Sequence, residues 1–90
     1  MSKRNAVRLN PSDNVAVCIA EIKKGDTVIL DENVTFEAVT DIPYAHKVSL
    51  DKIDKDENVI KYGYSIGKAT DDIKKGQWLH VHNIKGGRRL

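Results

Sequence analysis

Cysteine is nearly absent from this chain. Cys18 is the only one, which excludes an intramolecular disulfide and a cysteine-ligated metal cluster. It lies in the apolar run Val15-Ala16-Val17-Cys18-Ile19-Ala20, where a thiol is expected to be buried and inert. Aromatic residues are scarce as well: one Trp, three Tyr and one Phe are few for a base-stacking surface. Charge of one sign is also lacking. Fifteen basic residues face 13 acidic ones and leave a formal net charge of +2, so neither nucleic acid nor a membrane is an expected partner. No apolar run approaches the roughly 20 residues that span a bilayer, and the N-terminus shows no signal-peptide apolar region, so the expected location is cytoplasmic. No window sustains a helical period.

What remains is a chain of 90 residues, one small domain able to bury only about 60% of its unfolded surface. Enclosing a whole substrate would call for a partner, and a homo-oligomer is compatible with the short strand edges and small core. The expected fold class is mainly β, with short strands and single helical turns. Candidate strands run over 6–9, 15–20, 27–30, 34–39, 46–50, 59–62 and 78–83. The run 15–20 is apolar enough to be a central strand buried on both faces. Turn chemistry separates them at Asn10-Pro11-Ser12-Asp13, Lys24-Gly25-Asp26 and Asp31-Glu32-Asn33. Gly63 and Gly67 serve backbone geometry.

One turn design recurs. Ile22-Lys23-Lys24-Gly25-Asp26-Thr27-Val28, Ile53-Asp54-Lys55-Asp56-Glu57-Asn58-Val59 and Ile73-Lys74-Lys75-Gly76-Gln77-Trp78-Leu79 share an Ile, a Lys two positions on, then Gly or Asp, and an aliphatic residue at the sixth step. The expectation is a single helical turn with its Ile in the core, ended where Gly or Asp takes a left-handed conformation. The spacings of 31 and 20 residues differ, which excludes a solenoid. The lysines of these units are expected to be solvated.

The most concentrated chemistry is in Trp78-Leu79-His80-Val81-His82-Asn83. Read as an extended strand, it puts Trp78, His80 and His82 on one face. Two imidazoles on one face are able to hold a metal ion or grip a carboxylate. The third histidine, His46, stands beside Lys47, and the two segments are expected to meet. Lys47 and Lys61 are candidates for neutralising a carboxylate. The plain alternatives are surface strand residues for the histidines and Lys47, and packing for Tyr62, Tyr64 and Trp78 in a core or an interface.

With these residues in view, the chain resembles the small subunit, or N-terminal SAF-like domain, of the altronate/galactarate dehydratase family. The resemblance runs from Leu9 to about Ile84. Its pieces are Asp13-Asn14-Val15-Ala16-Val17, Asp41-Ile42-Pro43 with His46-Lys47-Val48, Val59-Ile60-Lys61-Tyr62-Gly63-Tyr64, Ile66-Gly67-Lys68-Ala69 and His80-Val81-His82-Asn83. It implies a small SAF-like β-clip domain over residues 1–84, followed by a flexible basic tail over 85–90. It also implies a sugar-acid dehydratase, a hydro-lyase inactive alone whose small subunit meets a large catalytic lyase subunit, acting on altronate as the leading substrate. A divalent metal is implied, Fe2+ or alternatively Mn2+. On the matching positions, His46 and Lys47 would be catalytic, His80 and His82 would be metal ligands, and Lys61 and Asn83 would bind substrate. Two departures stand out: members carry Gly where this chain has Ala45 and Asp56. Alanine prefers φ below zero, so the loop presenting His46 is expected to be reshaped. The alternatives are the small subunit of a sulfolactate sulfo-lyase, or a non-catalytic SAF module that binds carbohydrate or protein.

Overall fold

A computed structural model describes residues 4–31, 33–80 and 82–86. Among them are nine short strands and no helix: β1 (Ala6–Val7), β2 (Val15–Cys18), β3 (Thr27–Asp31), β4 (Val34–Glu37), β5 (Lys47–Ser49), β6 (Asn58–Lys61), β7 (Tyr64–Ala69), β8 (Trp78–Leu79) and β9 (Ile84–Lys85). All pairings are antiparallel, in a four-stranded sheet ordered β1-β2-β5-β8, a β3-β4 hairpin, and a three-stranded sheet ordered β6-β7-β9. The mainly-β expectation holds. Of the tail expected over 85–90, Lys85 pairs with Lys68 in β9, and residues 87–90 lie outside the described residues.

The four-stranded sheet is covered on both sides, as its alternation requires. On β2, Ala16 and Cys18 enter a cluster with Ile22, Val28, Ile42 and Val48, while Val15 enters a second cluster with Ile53, Val59, Ile73 and Leu79. Successive residues of β2 therefore face different cores, which is why that run is apolar without a break. The strand stops at Cys18 instead of Ala20, and Ile19 is exposed.

The recurring turns are hydrogen-bonded β-turns, not helical ones. Among the described residues there are four instead of three. The additional one is Ile42-Pro43-Tyr44-Ala45-His46-Lys47-Val48, hidden in the sequence because it lacks both the Lys and the Gly of the template. In each turn, the N–H of the fifth residue donates to the C=O of the second: Asp26 to Lys23, His46 to Pro43, Glu57 to Asp54 and Gln77 to Lys74. In each, the fourth residue has positive φ, at Gly25 (92°), Ala45 (69°), Asp56 (74°) and Gly76 (85°). Ala45 thus keeps the left-handed geometry of its glycine counterparts, contrary to the expected reshaping, and carries the steric strain itself.

The turns pair by their isoleucines, Ile22 with Ile42 and Ile53 with Ile73, as isolated antiparallel bridges. The second pair lies 31 residues after the first, and the hydrogen bonds repeat at that step. The Lys24 N–H donates to Asp41 Oδ1 and the Lys55 N–H to Asp72 Oδ1, both at 2.8 Å. The Gly25 N–H donates to the Ala38 C=O, and the Asp56 N–H to the Ala69 C=O, again both at 2.8 Å. The side-chain oxygens of Asn5 and Asn14 both accept at 2.7 Å, from the N–H groups of Ile29 and Ile60. The fold is two copies of one turn–hairpin–turn unit sharing a central sheet. Reading the spacings of 31 and 20 as merely unequal misses this: the step of 31 relates the copies, and the step of 20 lies within each.

Candidate functional site

The duplication explains how His46 becomes available. At the same step of the sibling turns stand Asp26, Glu57 and Gln77. Each bends its side-chain oxygen back onto the N–H of the turn's second residue, at 3.0, 2.7 and 2.9 Å. In the turn that begins at Ile42 the second residue is Pro43, which has no N–H to offer. The His46 side chain is released from that duty. Its Nδ1 accepts instead from Trp78 Nε1–H at 3.0 Å.

Trp78 is on β8, beside Val48 of β5, and its backbone N–H donates to Thr40 Oγ1 at 3.0 Å. The expected strand through Asn83 ends at Leu79. Beyond it Asn83 closes a turn: its N–H donates to the His80 C=O at 3.0 Å, its Oδ1 accepts the His80 N–H at 2.9 Å, and its Nδ2 donates to the Trp78 C=O at 2.9 Å. Asn83 is 4% exposed, and both ends of its amide are engaged in shaping this turn.

The turn nevertheless gathers the rings. His46 and His80 have centroids 4.2 Å apart, and Trp78 lies 5.6 Å from His46, 6.4 Å from His80 and 4.5 Å from His82. The indole and the His80 ring are nearly parallel, at 15°. His46, His80 and His82 therefore meet around one tryptophan, as the sequence led one to expect, although by a turn and not by strand alternation. The donor set does not fit a metal centre of its own: among the described residues, no three His, Cys, Asp or Glu side chains are placed to hold an ion, and open catalytic sites usually take three protein ligands.

Beside the rings is an open pocket of about 240 Å³ lined by Lys47, Ile66, His80, Ile84 and Gly86. Lys47 is half-buried at the start of β5. Burial first, and the Lys61 ammonium second, hold its pKa below the ordinary lysine value. The His80 pKa is also lowered, by loss of solvent and then by His46, Lys47 and His82. Lys47, Lys61 and the imidazoles give the pocket a basic character, and among the described residues no carboxylate lines it, as suits a site for an oxyanion. Lys61 lies at the end of β6, with its Nζ 5.1 Å from the Tyr62 ring centroid.

The hairpin carrying Lys61 is held from below. Tyr62 and Gly63 take φ of 58° and 78°, the double positive φ of a type I′ turn. The buried Asp13 carboxylate accepts both of their N–H groups, at 3.0 and 2.7 Å. Tyr62 and Tyr64 are exposed at the tip and belong to neither core. Asp13, Pro43 and the pocket walls Ile66, Ile84 and Gly86 were not read as site residues from the sequence. Pro43 left a signal, as a residue without an N–H one step after the isoleucine of its turn.

The profile of the altronate/galactarate dehydratase SAF domain matches residues 4–87. The chain belongs to that family. Among curated proteins it is similar to altronate dehydratase of Bacillus subtilis (34% identical over 82 residues, 91% of this chain) and of Escherichia coli (40% over 79 residues, 88% of this chain), and it spans 16% of the length of each. It is also similar to subunit alpha of (2R)-sulfolactate sulfo-lyase. The Paracoccus pantotrophus protein is 40% identical over 63 residues, covering 68% of this chain and 94% of that subunit. In Chromohalobacter salexigens the match is 40% over 58 residues, 64% of this chain and 62% of that subunit. The relatives are thus lyases. No helix among the described residues is long and apolar enough to cross a membrane.

Proposed function

We propose that this SAF domain is the small subunit of a cytoplasmic sugar-acid dehydratase and lends its imidazole–lysine cluster to an active site completed by a large lyase subunit. The observation that carries this reading is a pocket lined by Lys47 and His80, with the His46 ring against His80 and the Lys61 ammonium acting on Lys47, in a family whose relatives are lyases. Dehydrating a hydroxy acid requires removal of a proton next to a carboxylate and departure of a neighbouring hydroxyl. Charge builds on the carboxylate in the transition state, and a nearby cation stabilises it. Lys47 and Lys61 supply that cation, and the low dielectric around the half-buried Lys47 strengthens its effect. His80, neutral at lower pH than an ordinary histidine, is able to accept a proton or to return one to the leaving hydroxide. The Fe2+ or Mn2+ implied by the resemblance would need ligands from the large subunit in addition to His80 and His82, and no step described here runs through a metal.

Reconstitution tests this. The chain is mixed with the large subunit, and dehydration of altronate and galactarate is followed with the wild type and with Lys47→Ala, His46→Ala and His82→Ala. Loss of about 10²-fold or more in kcat is expected for a variant that loses an acid–base or charge-stabilising group. Full activity from all three would remove the cluster from the mechanism. A second reading, the small subunit of a sulfolactate sulfo-lyase, is favoured by the 94% coverage of the Paracoccus pantotrophus subunit. Elimination of sulfite from sulfolactate in the same assay decides for it.

A further inference from the structure

We propose that Trp78 is a positioning residue for His46: its indole N–H occupies the Nδ1 lone pair, so that neutral His46 presents Nε2–H, a donor to an oxyanion, in place of a lone pair for a proton or a metal ion. This rests on the reading that the cluster receives an oxyanion.

A neutral imidazole carries one proton on one of its two nitrogens, and the bond made by the first decides what the second offers. The indole N–H is a donor only. A bond of 3.0 Å from Trp78 Nε1 to His46 Nδ1 therefore requires Nδ1 to be the bare nitrogen, and the proton resides on Nε2. Coordination of a metal through Nε2 would move that proton to Nδ1, where it would confront the indole N–H. The two roles exclude each other.

The indole is well placed to impose this choice. Its strand is bonded on both sides, to Thr40 Oγ1 through the backbone N–H and to Asn83 Nδ2 through the C=O. Its ring is flanked by those of His80 and His82. On the other side, the sibling turns show what residue 46 would do if left to the fold. Asp26, Glu57 and Gln77 all cap their own turns, and Pro43 deletes the donor that would have recruited His46. The proline frees the side chain, and the indole that takes it up fixes its tautomer.

The test is the tautomeric state of His46 in the isotope-labelled 90-residue chain, read from two-bond proton–nitrogen NMR couplings at a pH where the ring is neutral. The expected wild-type spectrum has a protonated Nε2 and a bare Nδ1. In Trp78→Phe, which keeps a ring but loses the N–H, the preference for that tautomer is expected to fall about fivefold, the bias that one ordinary hydrogen bond supplies. A proton on Nδ1 in the wild type, or an unchanged tautomer ratio in Trp78→Phe, overturns the proposal. Should Trp78→Phe fail to fold, hydrogen exchange of the Trp78 indole N–H decides: it is expected to quicken in His46→Ala, and equal rates in the two proteins overturn the proposal. None of these readouts involves substrate. An inactive reconstitution would therefore sink the proposed function and leave the tautomer standing, and a wrong tautomer would do the reverse.

Discussion

Replacing Ala45 by glycine should stabilise this protein, although it removes a methyl group and touches no core contact. Ala45 sits at φ 69°, where a Cβ crowds the following carbonyl at a cost of about 1–2 kcal/mol. Its side chain is exposed, so truncation forfeits little burial. Against the relief stands the extra freedom that glycine gives the unfolded chain, about 0.4–1 kcal/mol. The difference is a net gain of about 0.5–1 kcal/mol. In a domain of this size that raises Tm by about 2–8 °C. Calorimetry or a denaturant titration with unchanged slope reads it directly. Two sibling turns provide the controls. An added Cβ on Gly25 meets nothing within 4 Å, so Gly25→Ala should lose the backbone strain less the same unfolded-state term, a net of about 0.5–1 kcal/mol. Gly76→Ala should lose more, because its Cβ would be driven into the backbone carbonyl oxygen of Glu37. A Tm for Ala45→Gly equal to or below that of the wild type would refute the claim that all four turns share one left-handed position with alanine as the strained member.

Three further outcomes follow from the same geometry. Burial pushes the Cys18 thiol up to about 12 from 9.0; because the folded value is the higher one, its stabilisation is complete below pH 9 and is lost as pH rises from 9 towards 12. Alkylation of Cys18 at pH 8.5 should accordingly wait for unfolding, and modification of the native protein at the rate of a free thiol would contradict it. Ile42→Ala and Ile73→Ala each delete a fully buried side chain at the bridge of one repeat and should cost about 2–5 kcal/mol in chemical denaturation, with similar losses in the two if the repeats carry equal weight. Asp13→Ala leaves the Tyr62 and Gly63 N–H groups without their acceptor and should cost about 1–3 kcal/mol, with faster amide exchange confined first to the 61–64 hairpin.

The order of strands and turns was legible because it rests on local chemistry. Apolar runs of β-branched residues, interrupted by Gly, Asp and Asn, specify extended segments and reversals whatever the neighbours are, and the run 15–20 reads as doubly buried from its composition alone, two residues longer than the strand that forms. The convergence of His46 with His80 and His82 was also legible, as the expectation that the two histidine-bearing segments meet. What sequence reasoning put wrong was the conformation that brings them together. Trp78 to Asn83 has the alternation of a strand, yet the strand ends at Leu79, where the Asn83 amide takes the His80 N–H and the Trp78 C=O.

By itself, then, the chain determined its β character, its turns and the residue types available for binding an anion. Tertiary structure alone decided that the third and fourth turns belong to a second copy of the unit formed by the first two, since equivalence at a step of 31 residues shows only when Ile22 meets Ile42 and Ile53 meets Ile73 across the sheet. It also decided which nitrogen of His46 is free. That choice depends on an indole 32 residues away, and a hydrogen bond between residues so distant in the chain leaves no local pattern.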